Sequence, residues 1–591
     1  MKFGIMSYLI DVIITWPLWG ALTYESEILP ESGARVLVPV YGKNRVGFVL
    51  GESKINLDPS TKIKSVAKII DYKRVIDSDL WDMALWAGKI CMCGEGSALN
   101  LILPQKFLDG EIIAPSQIYH ESKTFHESSC FNPFDDVRNN FYVDALSQNG
   151  RSLMLLPTHV RAANFFENLP DSLKSQALLW PSTSKKIWES WQLVHMKKFN
   201  IVIAAPGGIF APLSPDRIII EDESNPAYII PYALNISARS LAGRRAYFNH
   251  SELITGGAVP SLKTFKRLNP EQEIKPDKQN IIIVDINYSR KGQEKGIDGN
   301  IPLTFSLIKR TYKELIQKRN VIWILNRLGE SSEVFCENCG ESIKCIKCGH
   351  TMRSEDDGKI LRCRFCGQVR ETPEKCESCG FDILRGKRPG LEALAKIIAP
   401  YYKNIYVYGE KSRKKNFHGL ILSTQRGLEL CEKINPSLIA WLDIDSELWR
   451  PDYDTRFNAF RMLYESYFRG RERNSDRKIL IQARISGKIF ASQLSDGWKK
   501  FLNSELIARK EYNLPPYGCM IEINCNGCES LRERVIEILE SNNFFVMDPG
   551  DNNLPLVVNT NYLESVRKLL EPLFTAGHKN KICPNITIRS E

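Results

Sequence analysis

Eight cysteines carry the plainest chemistry in this 591-residue chain. They form four consecutive C-x-x-C-G elements, Cys336/Cys339, Cys345/Cys348, Cys363/Cys366 and Cys376/Cys379, followed by Gly340, Gly349, Gly367 and Gly380. Such a knuckle turns tightly so that backbone N–H groups face the sulfurs, and glycine supplies the positive φ this favours. Eight thiolates suit two tetrahedral Cys₄ zinc sites. Four thiolates and one Zn²⁺ leave a net negative site, and Lys344, Lys347, Arg362, Arg364 and Lys375 lie close enough in sequence to offset it. The Cys348-to-Cys363 spacing is close to a zinc-ribbon loop. That places Cys345, Cys348, Cys363 and Cys366 on one ion, and Cys336, Cys339, Cys376 and Cys379 on the other. Sequential pairing along the chain is the alternative. With every position filled by protein, the metals are expected to be structural. Cys525/Cys528 is a lone C-x-x-C without a companion and is not expected to bind metal.

A second set of residues is informative for what it lacks. Ser152–Pro157, Ile201–Ala204, Arg217–Glu223 and Val321–Asn326 read as buried parallel strands, the layout of a nucleotide-driven motor. Such a motor needs a glycine-rich loop followed by Lys and Ser or Thr, for phosphate and Mg²⁺. Gly-Lys occurs at Gly42, Gly88, Gly358, Gly386 and Gly487, and Ser or Thr follows none of them.

The elements around these residues predict a multidomain α/β protein. The length suggests about four domains. Residues 1–105 begin with β-like alternation, including strands over Arg35–Tyr41 and Arg45–Gly51 separated by a tight Gly42–Asn44 turn, and a helical pattern over Leu80–Ala87. Residues 106–138 are polar and read as a linker. A first βαβ lobe is expected over 139–275 and a second over 276–332 and 386–487, interrupted by the metal module at 333–385. Residues 488–591 read as a small α+β domain. Half of the sixteen cysteines fall in the metal block, which points to metal rather than disulfides. The net charge of +10, from 79 basic and 69 acidic residues, permits a polyanionic partner without requiring one. The apolar N-terminal run is broken by Asp11 and Pro17, so a core strand is expected rather than a signal peptide. With no other candidate for a membrane span, a cytoplasmic location is expected.

In order along the chain, several segments resemble the PriA family of primosomal replication-restart helicases (primosomal protein N′). Gly33–Pro39 and Arg45–Gly51 resemble its N-terminal domain. Ile209–Pro212 and Pro260–Leu262 resemble segments near its second and third helicase motifs. Asn326-Arg-Leu-Gly329 precedes the cysteine block as the family's Asn-Arg-Arg-Gly does, and Asn513–Tyr517 resembles the element that opens its C-terminal domain. The resemblance implies an N-terminal domain that binds the 3′ end of a leading strand, with Arg35, Lys43, Arg45 and Lys64 as DNA-contact candidates. It also implies two RecA-like lobes. Thr23 stands where the family usually has an aspartate that helps hold the 3′ hydroxyl.

The departures concern the nucleotide site. Phe131–Arg138, about where the phosphate loop should be, contains no glycine and no lysine. The family's Asp-Glu-Glu-His reads Glu221-Asp222-Glu223-Ser224, its fifth motif reads Ser423–Glu429, and its sixth reads Glu465–Glu472. Glu472 replaces the terminal arginine that would stabilise a transferring phosphate, a charge reversal phosphoryl chemistry does not tolerate. Glu221, Asp222 and Arg469 remain as remnants of the site. Residues 106–138 are too few for the family's winged-helix domain.

The expected function is therefore replication restart: binding branched DNA at stalled forks and promoting reloading of the replicative helicase, without ATPase or unwinding activity of its own. Two zinc ions are the expected cofactors and ATP is not. The resemblance implies forked DNA, other primosome proteins, single-strand DNA-binding protein and the replicative helicase or its loader as partners. One alternative is an active 3′-to-5′ helicase with an unconventional nucleotide site. Another is a zinc-dependent protein scaffold that does not bind DNA.

Overall fold

The computed structural model describes residues 7–590 except 16–18, 55–61, 114–123, 231–235, 287–302, 327–333, 337–341, 348, 350, 356–359, 364–365, 383, 386–389, 410–416, 449–451, 474, 551, 553 and 581–583. The chain divides into two compact units. One comprises Met1–Phe131, Arg138–Arg267 and Arg509–Glu591, and the other Asn132–Val137 and Leu268–Ala508.

The first unit opens with a five-stranded antiparallel sheet containing the expected core strand, Tyr8–Ile14, between Leu22–Ser26 and Lys43–Glu52. The hairpin Arg35–Val40/Lys43–Glu52 pairs Val40 with Lys43, so its turn is Tyr41-Gly42 rather than Gly42–Asn44. Both turn residues have positive φ (46° and 78°), the geometry of a two-residue hairpin whose twist matches its strands. Helix Ser78–Ile90 follows, burying Leu80, Trp81, Met83, Ala84 and Ala87. Its Asp79 carboxylate meets Arg245 at 2.5 Å with both side chains fully buried, and Arg245 also donates to the Ala211 carbonyl at 2.9 Å. A charged pair sealed from water in this way orients helix Ala238–Phe248 against helix Ser78–Ile90.

The first lobe is a six-stranded parallel sheet in the spatial order His126–Phe131, Glu252–Gly257, Arg217–Ile220, Ser152–Leu155, Ile201–Ala204, Ala177–Leu179. Its central strands are buried on both faces, which is why they read as unbroken apolar runs. His126–Phe131 lies inside the segment expected to be a linker. As an edge strand with one face toward solvent it can be polar, and its composition hid it. Helix Asp135–Leu146 then starts within the same segment. The lobe thus begins at about residue 126.

In the second unit another six-stranded parallel sheet runs Ile281–Asp285, Lys478–Ala483, Leu438–Trp441, Val321–Ile324, Leu420–Ser423, Ile405–Tyr408. Numbered by occurrence within each lobe, both sheets have the order 1-6-5-2-4-3. The two lobes are topological copies, although the sequence shows no repeat between them. The cysteine module occupies the crossover between the second and third strands of the second lobe. It contains a three-stranded sheet, Arg353–Glu355, Ile360–Arg362 and Val369–Glu371, and a two-stranded ladder of Phe335–Cys336 with Leu384–Arg385. Within the first unit, a four-stranded antiparallel sheet with helices Glu529–Glu540 and Leu563–Asn580 forms the C-terminal α+β part. Among the described residues no helix is long and apolar enough to cross a membrane.

Candidate functional site

Strand Arg217–Ile220 of the first lobe delivers three carboxylates in a row, Glu221, Asp222 and Glu223, each at most 3% exposed. Three arginines meet them. Arg138, from helix Asp135–Leu146, lies 2.9 Å from Glu221. Arg161, from helix His159–Glu167, is 3.0 Å from both Glu221 and Asp222. Arg239, from helix Ala238–Phe248, is 2.8 Å from Glu223. Further donors complete the cluster: the Tyr142 hydroxyl reaches Glu221 at 2.6 Å, and the Ser261 N–H reaches Glu223 at 2.6 Å. Burial, and then the Glu221 charge, push the Tyr142 phenol well above its ordinary pKa, so it remains a donor at physiological pH. The hydroxyl needs Gly256 on the neighbouring strand, because a Cβ there would sit 2.0 Å from the Tyr142 oxygen. Asp222 takes the left-handed conformation (φ 53°), and its carboxylate also accepts from the Asn225 amide at 2.9 Å.

In the second lobe Arg469 is 8% exposed, packed beside Glu432 at 3.4 Å and Glu465 at 3.9 Å. The Arg477 guanidinium donates to the Arg469 carbonyl and, at 2.9 Å, to the Pro436 carbonyl. Arg471 lies 4.3 Å over the Tyr467 ring, and both its Nε and Nη2 donate to the Ser475 carbonyl. These side chains brace the loop after helix Thr455–Phe468. The basic run Lys411–Lys415 lies outside the described residues.

The cysteine block forms two groups. The sulfurs of Cys336, Cys376 and Cys379 lie within 4.8 Å of one another, as do those of Cys345, Cys363 and Cys366. This grouping is the nested one, with the inner knuckles together and the outer knuckles together. Cys339 and Cys348 lie outside the described residues. Gly349, Gly367 and Gly380 all have φ between 70° and 76°, and each donates its N–H to the carbonyl of the first cysteine of its knuckle at 2.8–2.9 Å. Three sulfurs converging at this spacing can hold a metal ion. Arg370 ties the groups together, reaching Glu377 at 2.7 Å and the Lys344 carbonyl at 3.0 Å.

Of the DNA-contact candidates, Lys43, Arg45 and Lys64 are exposed, and Lys43 and Arg45 alternate onto the same face of their strand. Arg35 is a correction. It is fully buried, paired with Asp71 at 2.6 Å, donating to the Phe107 and Glu111 carbonyls at 2.8 Å and lying 4.2 Å over the Phe107 ring. A guanidinium so engaged has no face left for phosphate; it holds the sheet to the segment after helix Gln105–Leu108. The structure also brings in a residue whose role the sequence did not reveal. Thr23 lies directly across from Asp11 in the strand pair, and its hydroxyl donates to the Asp11 carboxylate at 2.8 Å. A carboxylate thus stands beside the position where one is lacking, and the signal for it is an aspartate inside an apolar strand.

A cavity of about 400 Å³ also lies within the first unit, lined by Arg239, Arg244, Lys263 and Arg267 together with Trp86 and Tyr247, and by no carboxylate among the described residues. Arg244 packs 4.8 Å over the Trp86 ring. The buried Thr255 hydroxyl, also on its wall, has no hydrogen-bond partner among the described residues.

Residues 11–104 match the family model described as a 3′DNA-binding domain (3′BD). Over 567 residues the chain is 22% identical to the replication restart protein PriA of Rickettsia felis, covering 86% of each chain. It is 21% identical to that of Borreliella burgdorferi, covering 92% of this chain and 90% of that one. Along most of its length the chain is similar to PriA replication restart proteins. Against the PriA of Bacillus subtilis the match is 23% identical, over 57% of this chain and 44% of that one.

In this chain the segment expected at the phosphate loop is the end of strand His126–Phe131 and the start of helix Asp135–Leu146. That helix places Asp135 and Asp136 in its first turn. A phosphate loop uses such a turn to present N–H groups to an anion, and two carboxylates there repel one instead. Arg138, one turn in, points to Glu221.

Removing one partner of this cluster leaves a buried charge with fewer compensating donors. Arg138→Met should destabilise the chain by about 3 kcal/mol, and pairing it with Glu221→Gln should recover part of the loss. Denaturant unfolding of the two single variants and the double variant gives the coupling energy.

Proposed function

We propose that this chain acts in replication restart as a DNA-bound platform, binding branched DNA at stalled forks and promoting reloading of the replicative helicase without hydrolysing ATP. The observation that carries the proposal is the closed pairing of Glu221 and Asp222 with Arg138 and Arg161. Carboxylates that serve Mg²⁺ and water must present lone pairs to an open site. Here guanidinium groups occupy them, and the helix start that would receive phosphate is acidic.

The metal assigned to the two cysteine groups is zinc, which soft four-sulfur sets favour and which needs no open position in a structural role. Cys339 and Cys348 are the proposed fourth ligands. The ions would hold the module folded, because its apolar core is small: Val334, Ile343, Met352 and Leu361 with the ligand cysteines Cys345 and Cys363.

For DNA, the reading rests on the match to the 3′DNA-binding domain and on the exposed Lys43, Arg45 and Lys64. Asp11 beside Thr23 supplies the acceptor a terminal hydroxyl requires. Other primosome proteins, single-strand DNA-binding protein and the replicative helicase or its loader are the proposed protein partners. The cationic, aromatic-walled cavity suits an acidic segment with apolar side chains, and this chemistry supports a protein partner there.

Three measurements test this. ATP turnover, with and without forked DNA, should stay at the blank through size-exclusion purification, since even one lost transition-state donor costs about 10²–10³ in rate; turnover that follows the protein peak overturns the reading. Metal analysis of protein purified without chelator should return two zinc ions per chain, and Cys345→Ser or Cys376→Ser should unfold the module, because metal-binding energy is folding energy in small metal domains. Fork binding followed by anisotropy should weaken steeply with salt. Lys64→Ala should lower the log–log salt slope by about 1, and should weaken forks bearing a leading-strand 3′ end more than plain duplex. Equal or salt-insensitive binding to all substrates would favour a protein scaffold instead.

A further inference from the structure

The lone Cys525/Cys528 pair lies apart from the metal module, in the C-terminal sheet domain. Cys525 follows strand Cys519–Asn524 and is fully buried, whereas Cys528 is half-buried and caps the N-terminus of helix Glu529–Glu540. Between them Asn526 (φ 52°) and Gly527 (φ 76°) are both left-handed, and the Cys528 N–H donates to the Cys525 carbonyl at 3.0 Å. A four-residue turn closed in this way brings its end Cα atoms within about 7 Å, and a disulfide spans about 4.4–6.8 Å between Cα atoms. We propose that Cys525 and Cys528 form a reversible intramolecular disulfide, a thiol-modification site that fastens the end of the strand to the start of the helix.

The two sulfurs are matched for this chemistry. Ser530 Oγ, 3.4 Å from the Cys528 sulfur, together with the Leu531 and Ser530 backbone N–H groups, lowers the Cys528 pKa below that of an ordinary thiol. Burial raises the Cys525 thiol, against the opposing pull of Arg532, and the charge of Cys528 adds to the rise. Burial leaves other free cysteines poor nucleophiles, with Cys130 pushed up to about 11 and Cys93 to about 12. Cys528 is thus the attacking sulfur and Cys525 the resolving one. Its thiolate attacks one sulfur of a low-molecular-weight disulfide, forming a mixed disulfide and releasing one thiolate, which takes a proton from water. Cys525 then gives up its proton to solvent, and its sulfur attacks the Cys528 sulfur and displaces the second small thiolate. Two protein thiols are oxidised and one disulfide is reduced to two thiols.

The test uses the full, metal-loaded chain, treated with oxidised glutathione at neutral pH, blocked with an alkylating agent and mapped by fragment mass spectrometry. The unmodified sequence should carry a Cys525–Cys528 bond that dithiothreitol removes. Cys525→Ser should accumulate a glutathione adduct on Cys528, and Cys528→Ser should leave Cys525 unmodified. Separate adducts on both cysteines, modification of Cys525 in the Cys528→Ser chain, or an unreacted Cys528 would overturn the proposal.

Discussion

Three buried carboxylates at the tip of one strand cannot stand side by side unless cations meet them. At Glu221, Asp222 and Glu223 those cations are Arg138, Arg161 and Arg239, and the first lobe is organised around that requirement. Each arginine comes from a different helix, so neutralising the acids fixes three helices against the strand ends. Tyr142 and Gly256 follow from the same demand: the phenol donates to the Glu221 carboxylate, and the glycine makes room for the phenol. Burying an unpaired carboxylate costs several kcal/mol, so the pairing constrains the neighbouring backbone more tightly than apolar packing would.

The second lobe repeats the strand order of the first and places an acid at the matching strand end. Asp443, just beyond Leu438–Trp441, accepts from Arg484 at 2.9 Å, and Asp445 accepts from the Arg484 N–H at 2.7 Å and from the Gly487 N–H at 3.1 Å. In both lobes, then, the ends of the central strands are closed by arginine and carboxylate together. A parallel sheet turns its strand ends toward one edge, where ligands usually enter. The same edge in this chain carries arginine–carboxylate pairs.

How far the sequence reveals this depends on what each signal reports. Strands buried on both faces declare themselves by apolar runs, so Ser152–Leu155, Ile201–Ala204 and Val321–Ile324 are legible to within two residues. The edge strand His126–Phe131 is not, because one exposed face removes the pattern. The knuckles are legible because C-x-x-C-G fixes both ligand and backbone geometry locally. The roles of Arg35 and Arg138 are not, since a lone arginine reads alike whether it faces phosphate or a carboxylate 36 or 83 residues away. Nor is Asp11, whose meaning arises only when the strand pairing brings Thr23 opposite it.

A buried ion-pair network is weak support for net stability, since apolar replacements of similar volume can be as stable or more so. Its persistence here has a different physical basis. Replacing Arg161 removes an ion pair from each of two acids, and replacing Glu221 removes one from each of two arginines. Because Arg161 bridges two acids and Glu221 bridges two arginines, no single substitution removes one complete pair. Escape to an apolar cluster needs several simultaneous changes, each alone costing about 3–5 kcal/mol. A site built in this way locks itself. A Mg²⁺ ion entering there would have to displace two guanidinium groups from Glu221 and Asp222.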